Sequence, residues 1–280
     1  MPELPEVETI RRDLDHALRG HSITRLEVRD RLLLSVKEEK RFQRILFGRE
    51  WQAINRKGKY LSIDLGANWE MIIHLRMTGQ LVLQNHGELS RTGMIHKPLG
   101  PTYRMYLEFE HGVGLAFYDQ RRFGEVFLRG PQEKWPGKTT LGPDPLDGLS
   151  QESFVDRVKE KTTRIKPLLM DQRFLAGIGN IYAQEALFKA SIRPSRPARR
   201  MTRQEAERLY EAIQDTLLMA IKHRGSTRRN YRDALGQAGS AQNLHAVYQR
   251  GGQPCLICKT ILKATRLGGR GTVFCPRCQN

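Results

Sequence analysis

The chain has 280 residues, 39% of them apolar and 28% charged, a composition typical of globular domains that excludes a disordered chain, collagen and a coiled coil. No apolar run approaches the roughly 18 residues of a membrane-spanning helix, and the amino terminus is acidic where a secretory leader is basic and then apolar. We therefore expect a cytoplasmic protein without membrane segments. A net charge of +17 favours a polyanionic partner, nucleic acid above all.

The basic charge is concentrated in the last third of the chain. Residues 189–280 contain 18 basic and 5 acidic residues, net +13, whereas residues 1–188 contain 29 and 25, net +4. Four arginines lie within residues 193–200, where Pro194 and Pro197 predict an extended connector and not a helix. This connector is either a contact for the polyanion or an ordinary solvated linker.

The first half of the chain predicts one helix followed by antiparallel strands. Pro5 suits the first turn of a helix whose apolar residues recur every three or four positions, and Gly20 ends it. Between residues 23 and 128 apolar and polar residues alternate instead, most clearly at 59–65. We expect residues 1–135 to form a helix packed on an antiparallel β-sandwich, in an α+β protein of two domains.

The second half predicts a linker and then helices. Prolines and glycines cluster around residues 136–150, which indicates a linker, and a helical pattern occupies residues 151–245. Thr202 and Glu205 form a capping box at the start of the clearest helix. Upstream of it, a tight glycine turn leads into a short helix at residues 181–190.

The four cysteines lie near the end of the chain in the pattern C-x2-C-x16-C-x2-C, as Cys255, Cys258, Cys275 and Cys278. Two such pairs on two turns can place four thiolates in a tetrahedron around one Zn²⁺. Two disulfides, or cysteines without a joint role, are the alternatives. Residues 246–280 are too few to bury a core alone, so we expect one structural zinc ion, with no open coordination position for catalysis.

The amino terminus is the second unusual feature. A proline after the initiator methionine normally leads to removal of Met1, which would expose the secondary amine of Pro2 beside Glu3 and Glu6. A terminal amine titrates at about 7.7–8, so part of it is a neutral nucleophile at physiological pH. Alternatively, Pro2 merely precedes the helix and the two carboxylates interact with the helix dipole.

Five blocks follow one another along the chain: residues 2–9 (PELPEVET), 58–61 (GKYL), 74–79 (HLRMTG), 119–124 (DQRRFG) and 177–183 (GIGNIYA). In order and spacing these blocks, with the four-cysteine ribbon after them, resemble the formamidopyrimidine-DNA glycosylase and endonuclease VIII family over essentially the whole chain. Leu4 is closer to the glycosylase branch. The resemblance implies a helix-two-turns-helix motif within residues 151–245 and a zinc ribbon at 246–280.

The same resemblance implies a monomeric, nucleoid-associated enzyme of base excision repair. It would be a DNA glycosylase and AP lyase that excises 8-oxoguanine and formamidopyrimidines from duplex DNA and cuts the strand by β,δ-elimination. Pro2 would attack C1′ and form a Schiff base, Glu3 would transfer protons at the sugar, and Glu6 would organise the site. Lys59 would pair with a phosphate or the lesion; a solvated strand lysine is the alternative.

The resemblance also assigns residues that contact DNA: Met77, Arg121, Phe123, Asn180, Arg270, Arg104 and Arg229. Met77, Arg121 and Phe123 would fill the space left by a flipped nucleotide and be partly exposed before DNA binds; alternatively, Met77 and Phe123 belong to the core. Asn180 and Arg270 would bind phosphates, although an ordinary helix cap would resemble Asn180 locally.

Three segments depart from the family pattern. Gln120 replaces a proline, residues 100–105 lack a histidine pair and offer Arg104, and residues 236–241 lack the Gly-Tyr-Phe of the loop that closes over the flipped base. Two alternatives stay open: a member that prefers oxidised pyrimidines or hydantoins, and a DNA-binding protein without catalysis. Excision of 8-oxoguanine compared with thymine glycol distinguishes the first, and borohydride trapping of a covalent adduct distinguishes the second.

Overall fold

The computed structural model describes residues 1–34, 36–85, 103–135, 140–227 and 230–280. The chain divides into two units: Met1–Gly137 with His223–Ser240, and Lys138–Lys222 with Ala241–Asn280. None of the helices described is long and apolar enough to span a bilayer. Arg229, one of the predicted DNA contacts, lies outside the described residues.

The described part of the first unit contains two α-helices and eight β-strands. In chain order they are α1 (Leu4–Leu18), β1 (Ile23–Val28), α2 (Val36–Leu46), β2 (Ala53–Lys57), β3 (Tyr60–Asp64), β4 (Glu70–His74), β5 (Gly79–Asn85), β6 (Tyr103–Phe109), β7 (Val113–Asp119) and β8 (Glu125–Arg129). Helix α2 corrects the sequence analysis, which expected only strands in this region. Phe42 and Leu46 are buried one helical turn apart in a segment rich in charge, which makes α2 amphipathic.

Helix α1 begins where the sequence predicts, and acidic residues cap it. The Glu3 side chain accepts the backbone N–H of Glu6, and the Glu6 carboxylate accepts the backbone N–H of Glu3 at 2.8 Å, a reciprocal capping box. Pro5 lies in the first turn, where a missing N–H costs nothing. The helix ends at Leu18, two residues before Gly20 with its φ of +82°.

Two four-stranded sheets form the body of the first unit. Their strand orders are β1-β6-β7-β5 and β2-β3-β4-β8, and every neighbouring pair is antiparallel. Both sheets contribute to one apolar core, which includes Leu61 of β3, Leu81 of β5 and Phe117 of β7, together with Leu14 of α1. The predicted helix and antiparallel β-sandwich are therefore confirmed.

Residues 223–240 pack with the first unit, although they follow the longest helix of the second. Tyr231 and Ala234 join the apolar core of the sandwich, and Leu83 donates its N–H to the Ala234 carbonyl at 2.8 Å. The sequence alone predicts that residues 223–240 belong with the helical residues 151–245. Local composition could not reveal these contacts, because they join residues about 150 positions apart.

The described part of the second unit contains four α-helices and one hairpin. They are α3 (Gln151–Lys159), α4 (Ile165–Met170), α5 (Asn180–Lys189), α6 (Arg203–Lys222), β9 (Lys263–Leu267) and β10 (Arg270–Phe274). The predicted capping box is confirmed: Glu205 donates its N–H to Thr202 Oγ1 at 3.2 Å, and Thr202 donates its N–H to the Glu205 carboxylate at 2.7 Å. The basic connector has only one short 3-10 turn, Ala198–Arg200.

The turns beside the β9–β10 hairpin gather the four cysteines. Their Sγ atoms lie within 4.8 Å of one another, with 3.9 Å between Cys255 and Cys278 and 3.5 Å between Cys258 and Cys275. A tetrahedral zinc ion with Zn–S bonds of about 2.3 Å holds its sulfur atoms about 3.8 Å apart, so this donor set fits one Zn²⁺. The apolar cluster beside it is small: Phe188, Val247, Leu262 and Val273.

Removal of zinc should unfold the ribbon and leave the β-sandwich intact, because the few apolar residues around the cysteines cannot hold the hairpin alone. The expected result is one zinc ion per chain by elemental analysis. After chelation, proteases should cleave residues 252–280 rapidly while α1 and the sandwich stay protected. A chelated protein whose ribbon kept its protease resistance would contradict the structural role of the metal.

Candidate active site

Pro2 and the two carboxylates after it are buried at the start of α1. Glu3 and Glu6 are only 4% and 2% exposed. Burial of a carboxylate is unfavourable unless hydrogen-bond donors meet it, and the capping box supplies backbone N–H groups to both. The cap that begins the helix therefore also fixes two groups able to transfer protons next to Pro2.

The terminal amine lies among four charged side chains. With Met1 attached, the pKa of this amine is lowered, mainly by burial. The carboxylates of Glu3 and Glu6 oppose that shift, whereas the charges of Lys59 and Arg121 add to it. A lower pKa increases the neutral fraction of an amine, so these surroundings keep more of the Met1 amine neutral than water does. Four residues that the sequence selected thus act electrostatically on the beginning of the chain.

The segment 223–240 contacts the same Glu6 carboxylate. Glu6 Oε1 accepts the Ser226 backbone N–H at 2.7 Å, while the other oxygen serves the helix cap. Gly225 has a φ of +79°, and a Cβ there would stand 2.8 Å from Glu6 Oε1, so a glycine is needed. Tyr231 Oη donates to the Glu6 carbonyl at 3.4 Å. Glu6 therefore joins this segment to the start of α1.

Three residues are predicted to fill the space left by a flipped nucleotide: Met77, Arg121 and Phe123, called the wedge residues below. They lie on two adjoining loops of the first unit. Met77 precedes β5 and is 40% exposed, and Phe123 lies between β7 and β8 and is 51% exposed, so the alternative that places them in the core is wrong. The Arg121 guanidinium stacks on the Phe123 ring at 4.7 Å. The Arg121 N–H donates to Thr78 Oγ1 at 3.1 Å, which joins the two loops.

Arg104 supports one of these loops. Its Nε donates to the Asp119 carbonyl at 2.7 Å and lies 3.7 Å from the Asp30 carboxylate. Arg122 also donates to both carboxylate oxygens of Asp30, from Nε at 2.7 Å and from Nη2 at 2.5 Å. Arg104 thus connects the base of the loop that carries Arg121 with Asp30, which follows β1, and its role as a DNA contact stays a prediction.

The predicted phosphate contacts meet on one face of the second unit. Asn180 is the first residue of α5, and its Nδ2 donates to the Gly271 carbonyl at 3.2 Å, next to the exposed Arg270 of β10. Lys166 is fully buried, and its Nζ donates to Asn180 Oδ1 at 2.6 Å. Lys166 is not among the site residues predicted from the sequence. Its only local signal is that it is a lysine in the otherwise apolar α4.

His74 was also not selected, although it opens the block at residues 74–79. It is 6% exposed, its ring centroid lies 4.3 Å from that of Tyr60 with the two ring planes inclined by 54°, and its Nδ1 accepts the Arg76 backbone N–H at 3.1 Å. Its neutral ring therefore carries its proton on Nε2. Burial, followed by the charges of Arg76 and Lys59, lowers the pKa of His74 to about 3. His74 is a neutral N–H donor at physiological pH.

His74 should stay neutral in the folded protein between pH 8 and pH 5, as read from its ring resonances by NMR. An unfolded histidine titrates at about 6.5, so the unfolded state binds the extra proton between that value and the folded pKa of about 3. The contribution of neutral His74 to the free energy of unfolding should therefore be fully present above about pH 6.5 and be lost as the pH falls towards the folded pKa of about 3. A ring titration near 6.5 in folded protein would contradict the buried neutral state.

Comparison with known proteins agrees with this geometry. Residues 1–126 match the formamidopyrimidine-DNA glycosylase N-terminal domain, residues 141–231 its H2TH domain, and residues 252–280 a zinc finger found in FPG and IleRS. The formamidopyrimidine-DNA glycosylase of Desulfitobacterium hafniense is 41% identical, with both chains covered completely. That of Chloroflexus aurantiacus is 38% identical over 100% of this chain and 98% of the relative.

Solved structures lead to the same family. The MutM (Fpg) protein of Thermus thermophilus is 40% identical, with a TM-score of 0.84 over 99% of this chain and 98% of its own. Lactococcus lactis Fpg in complex with DNA containing an abasic site is 32% identical, with a TM-score of 0.87 over 99% of both chains. Full-length agreement in sequence, fold and domain order shows that this chain belongs to the formamidopyrimidine-DNA glycosylase family.

Proposed function

We propose that this protein is a DNA glycosylase and AP lyase of base excision repair that removes oxidised purines, 8-oxoguanine and formamidopyrimidines, from duplex DNA. The observation that carries the proposal is the start of α1, where Pro2 adjoins two buried carboxylates held by a capping box. A helix cap alone does not need this much burial of charge. The Desulfitobacterium and Chloroflexus relatives are named formamidopyrimidine-DNA glycosylases.

The chemistry begins with removal of Met1, which frees the Pro2 nitrogen. That nitrogen attacks C1′ of the damaged nucleoside, the glycosidic C–N bond breaks, and the base leaves with a proton as the sugar ring opens to an iminium ion. The iminium acidifies the C2′ proton. Loss of that proton expels the 3′ phosphate, a second elimination expels the 5′ phosphate, and hydrolysis releases Pro2.

The carboxylates have separate tasks in this scheme. Glu3 exchanges protons with the sugar, and its buried position next to Pro2 supports that assignment. Glu6 holds the backbone N–H groups of Glu3 and Ser226 and so keeps the site in shape. Lys59, whose charge acts on the terminal amine, adds a positive charge for a phosphate or for the lesion.

Binding of duplex DNA uses exposed groups on each unit. Met77, Arg121 and Phe123 fill the space of the flipped nucleotide, and their exposure on adjoining loops supports this role. Asn180, oriented by Lys166, and Arg270 bind backbone phosphates. The solved complexes of Lactococcus lactis Fpg contain DNA with an abasic site or with Fapy-dG, which is damaged DNA like the substrate proposed for this protein.

We place the protein in the cytoplasm at the nucleoid, and we propose that it acts as a monomer. Four thiols suited to zinc and not paired in disulfides are typical of a reducing compartment. The chromosomal substrate is found there as well.

Replacement of Pro2 by glycine should reduce the covalent chemistry strongly, by roughly a hundredfold or more, because the secondary amine forms the iminium. The measurement is borohydride trapping on duplexes with 8-oxoguanine opposite cytosine, together with the mass of the active protein, which should lack Met1. A form that retains Met1 should trap no DNA, and Pro131→Gly, in an exposed turn of the same unit, should trap normally. Wild-type levels of adduct from Pro2→Gly would refute the assignment.

Replacement of Arg270 by alanine should weaken binding to every duplex by a similar factor, because a phosphate contact does not read sequence. The slope of log affinity against log salt between roughly 50 and 200 mM should fall by about one. Fluorescence anisotropy measures both quantities. Arg203→Ala is the control, since that exposed arginine is paired with Glu207 on α6; an unchanged slope for Arg270→Ala would exclude a phosphate contact.

A further inference from the structure

One buried carboxylate lies beneath the exposed wedge residues. Asp119 is 1% exposed, although the loop after it is open to solvent. Its Oδ1 accepts the Thr78 hydroxyl and the Arg121 backbone N–H, the latter at 3.2 Å, and its Oδ2 accepts the Gly124 backbone N–H at 2.6 Å. Several donors on an ionised carboxylate make strong, directional hydrogen bonds.

Each of these donors is adjacent to a wedge residue or is part of one. Thr78 follows Met77, the second donor is the backbone of Arg121 itself, and Gly124 follows Phe123. A single carboxylate therefore binds a hydroxyl next to Met77 and backbone N–H groups at Arg121 and next to Phe123. Nothing else in the proposed chemistry uses Asp119, and no step of the base expulsion needs it.

The loop is constrained from its other side as well. Arg122 has a φ of +61° and turns away to bind Asp30 through both of its oxygens. Gly124 has no room for a side chain, because a Cβ would collide with the Phe117 ring and lie 3.0 Å from Asp119 Oδ2. With Arg122 bound to Asp30 and Gly124 packed against Phe117, Arg121 and Phe123 stack on each other and are exposed.

The geometry points to Asp119 as a positioning residue that orders Met77, Arg121 and Phe123 before DNA binds. This inference rests on the proposed function, since it concerns how the wedge acts during nucleotide flipping. An ordered wedge enters the helix without first losing conformational freedom, so more of the binding energy remains for flipping. Extraction of a stacked base needs the wedge most, and a site that has already lost its base needs it least.

Asp119→Asn tests the inference because the amide preserves the size of the side chain and removes its charge. In either orientation of the amide, its NH₂ group faces the backbone N–H of Arg121 or of Gly124, so one of these two donors loses its acceptor. Loss of order in one side chain corresponds to about a two- to tenfold weaker interaction. With three side chains involved, excision of 8-oxoguanine from duplex DNA should fall by about tenfold or more.

The comparison reaction is borohydride trapping on a duplex with a preformed abasic site, which should change far less than base excision. Asp64→Asn is the control, because Asp64 also accepts a turn N–H, from Gly66 at 2.9 Å, and pairs with Glu70 at the end of β4 away from the loop that carries Met77. It should leave both reactions as in wild type. Thr78→Val, which removes one donor, should lower excision in the same selective way and add little to Asp119→Asn.

The outcomes separate the two proposals. Failure of wild-type protein to trap abasic DNA counts against the proposed function itself. If wild type traps normally, equal losses of excision and trapping in Asp119→Asn, or no loss in either, overturn the positioning role. Should Asp119→Asn fail to fold, Thr78→Val decides by the same ratio of excision to trapping.

Discussion

The Glu6 carboxylate is the contact on which the candidate site depends. It is buried and accepts two backbone N–H groups, one from Glu3, next to the proposed nucleophile Pro2, and one from Ser226, 220 positions further along the chain. A buried carboxylate is stable only with such donors, so the helix start and the segment 223–240 are held in one arrangement. Local helix capping and organisation of the site are therefore the same interaction.

A second group of charges, in which Asp233 is buried and Arg224 partly exposed, reinforces that arrangement. The Arg224 guanidinium donates to Asp13 of α1 and to Asp233, at 2.6 Å each. Burial raises the pKa of Asp13, and the hydrogen bond from Arg224 opposes the shift. Removal of one partner would leave an unpaired charge inside the protein, which costs more than the pair itself contributes. Residues 223–240 consequently belong to the sandwich although the chain reaches them through α6.

Helix α5 has the corresponding role in the second unit. Gln184 accepts the Val273 N–H at 2.6 Å and so holds strand β10, and Glu185 accepts three backbone N–H groups of residues 246–248. Asn180 at its beginning meets Gly271. The zinc ribbon is thus attached to the helix that presents the predicted phosphate contacts, and the metal stabilises the strand that carries Arg270.

The sequence by itself determined the local features of this protein: α1 from its Pro5 start to the glycine after it, the alternating strands, the capping box at Thr202 and the four-cysteine pattern. Each depends on residues within one turn, one strand or one motif, where spacing directly reflects geometry. The family blocks then selected Pro2 and most of the candidate site. The sequence did not predict helix α2, because its amphipathic pattern is short and lies within a region of strand-like alternation.

Only the tertiary structure decided which distant groups meet. Ser226 on Glu6, Lys166 on Asn180 and Thr78 on Asp119 are pairs of polar residues 220, 14 and 41 positions apart. A polar side chain has the same local pattern whether it faces water or a buried partner, so sequence periodicity cannot reveal such pairs. The folded backbone brings donor and acceptor together, and the high cost of leaving either one buried without a hydrogen bond then fixes their positions.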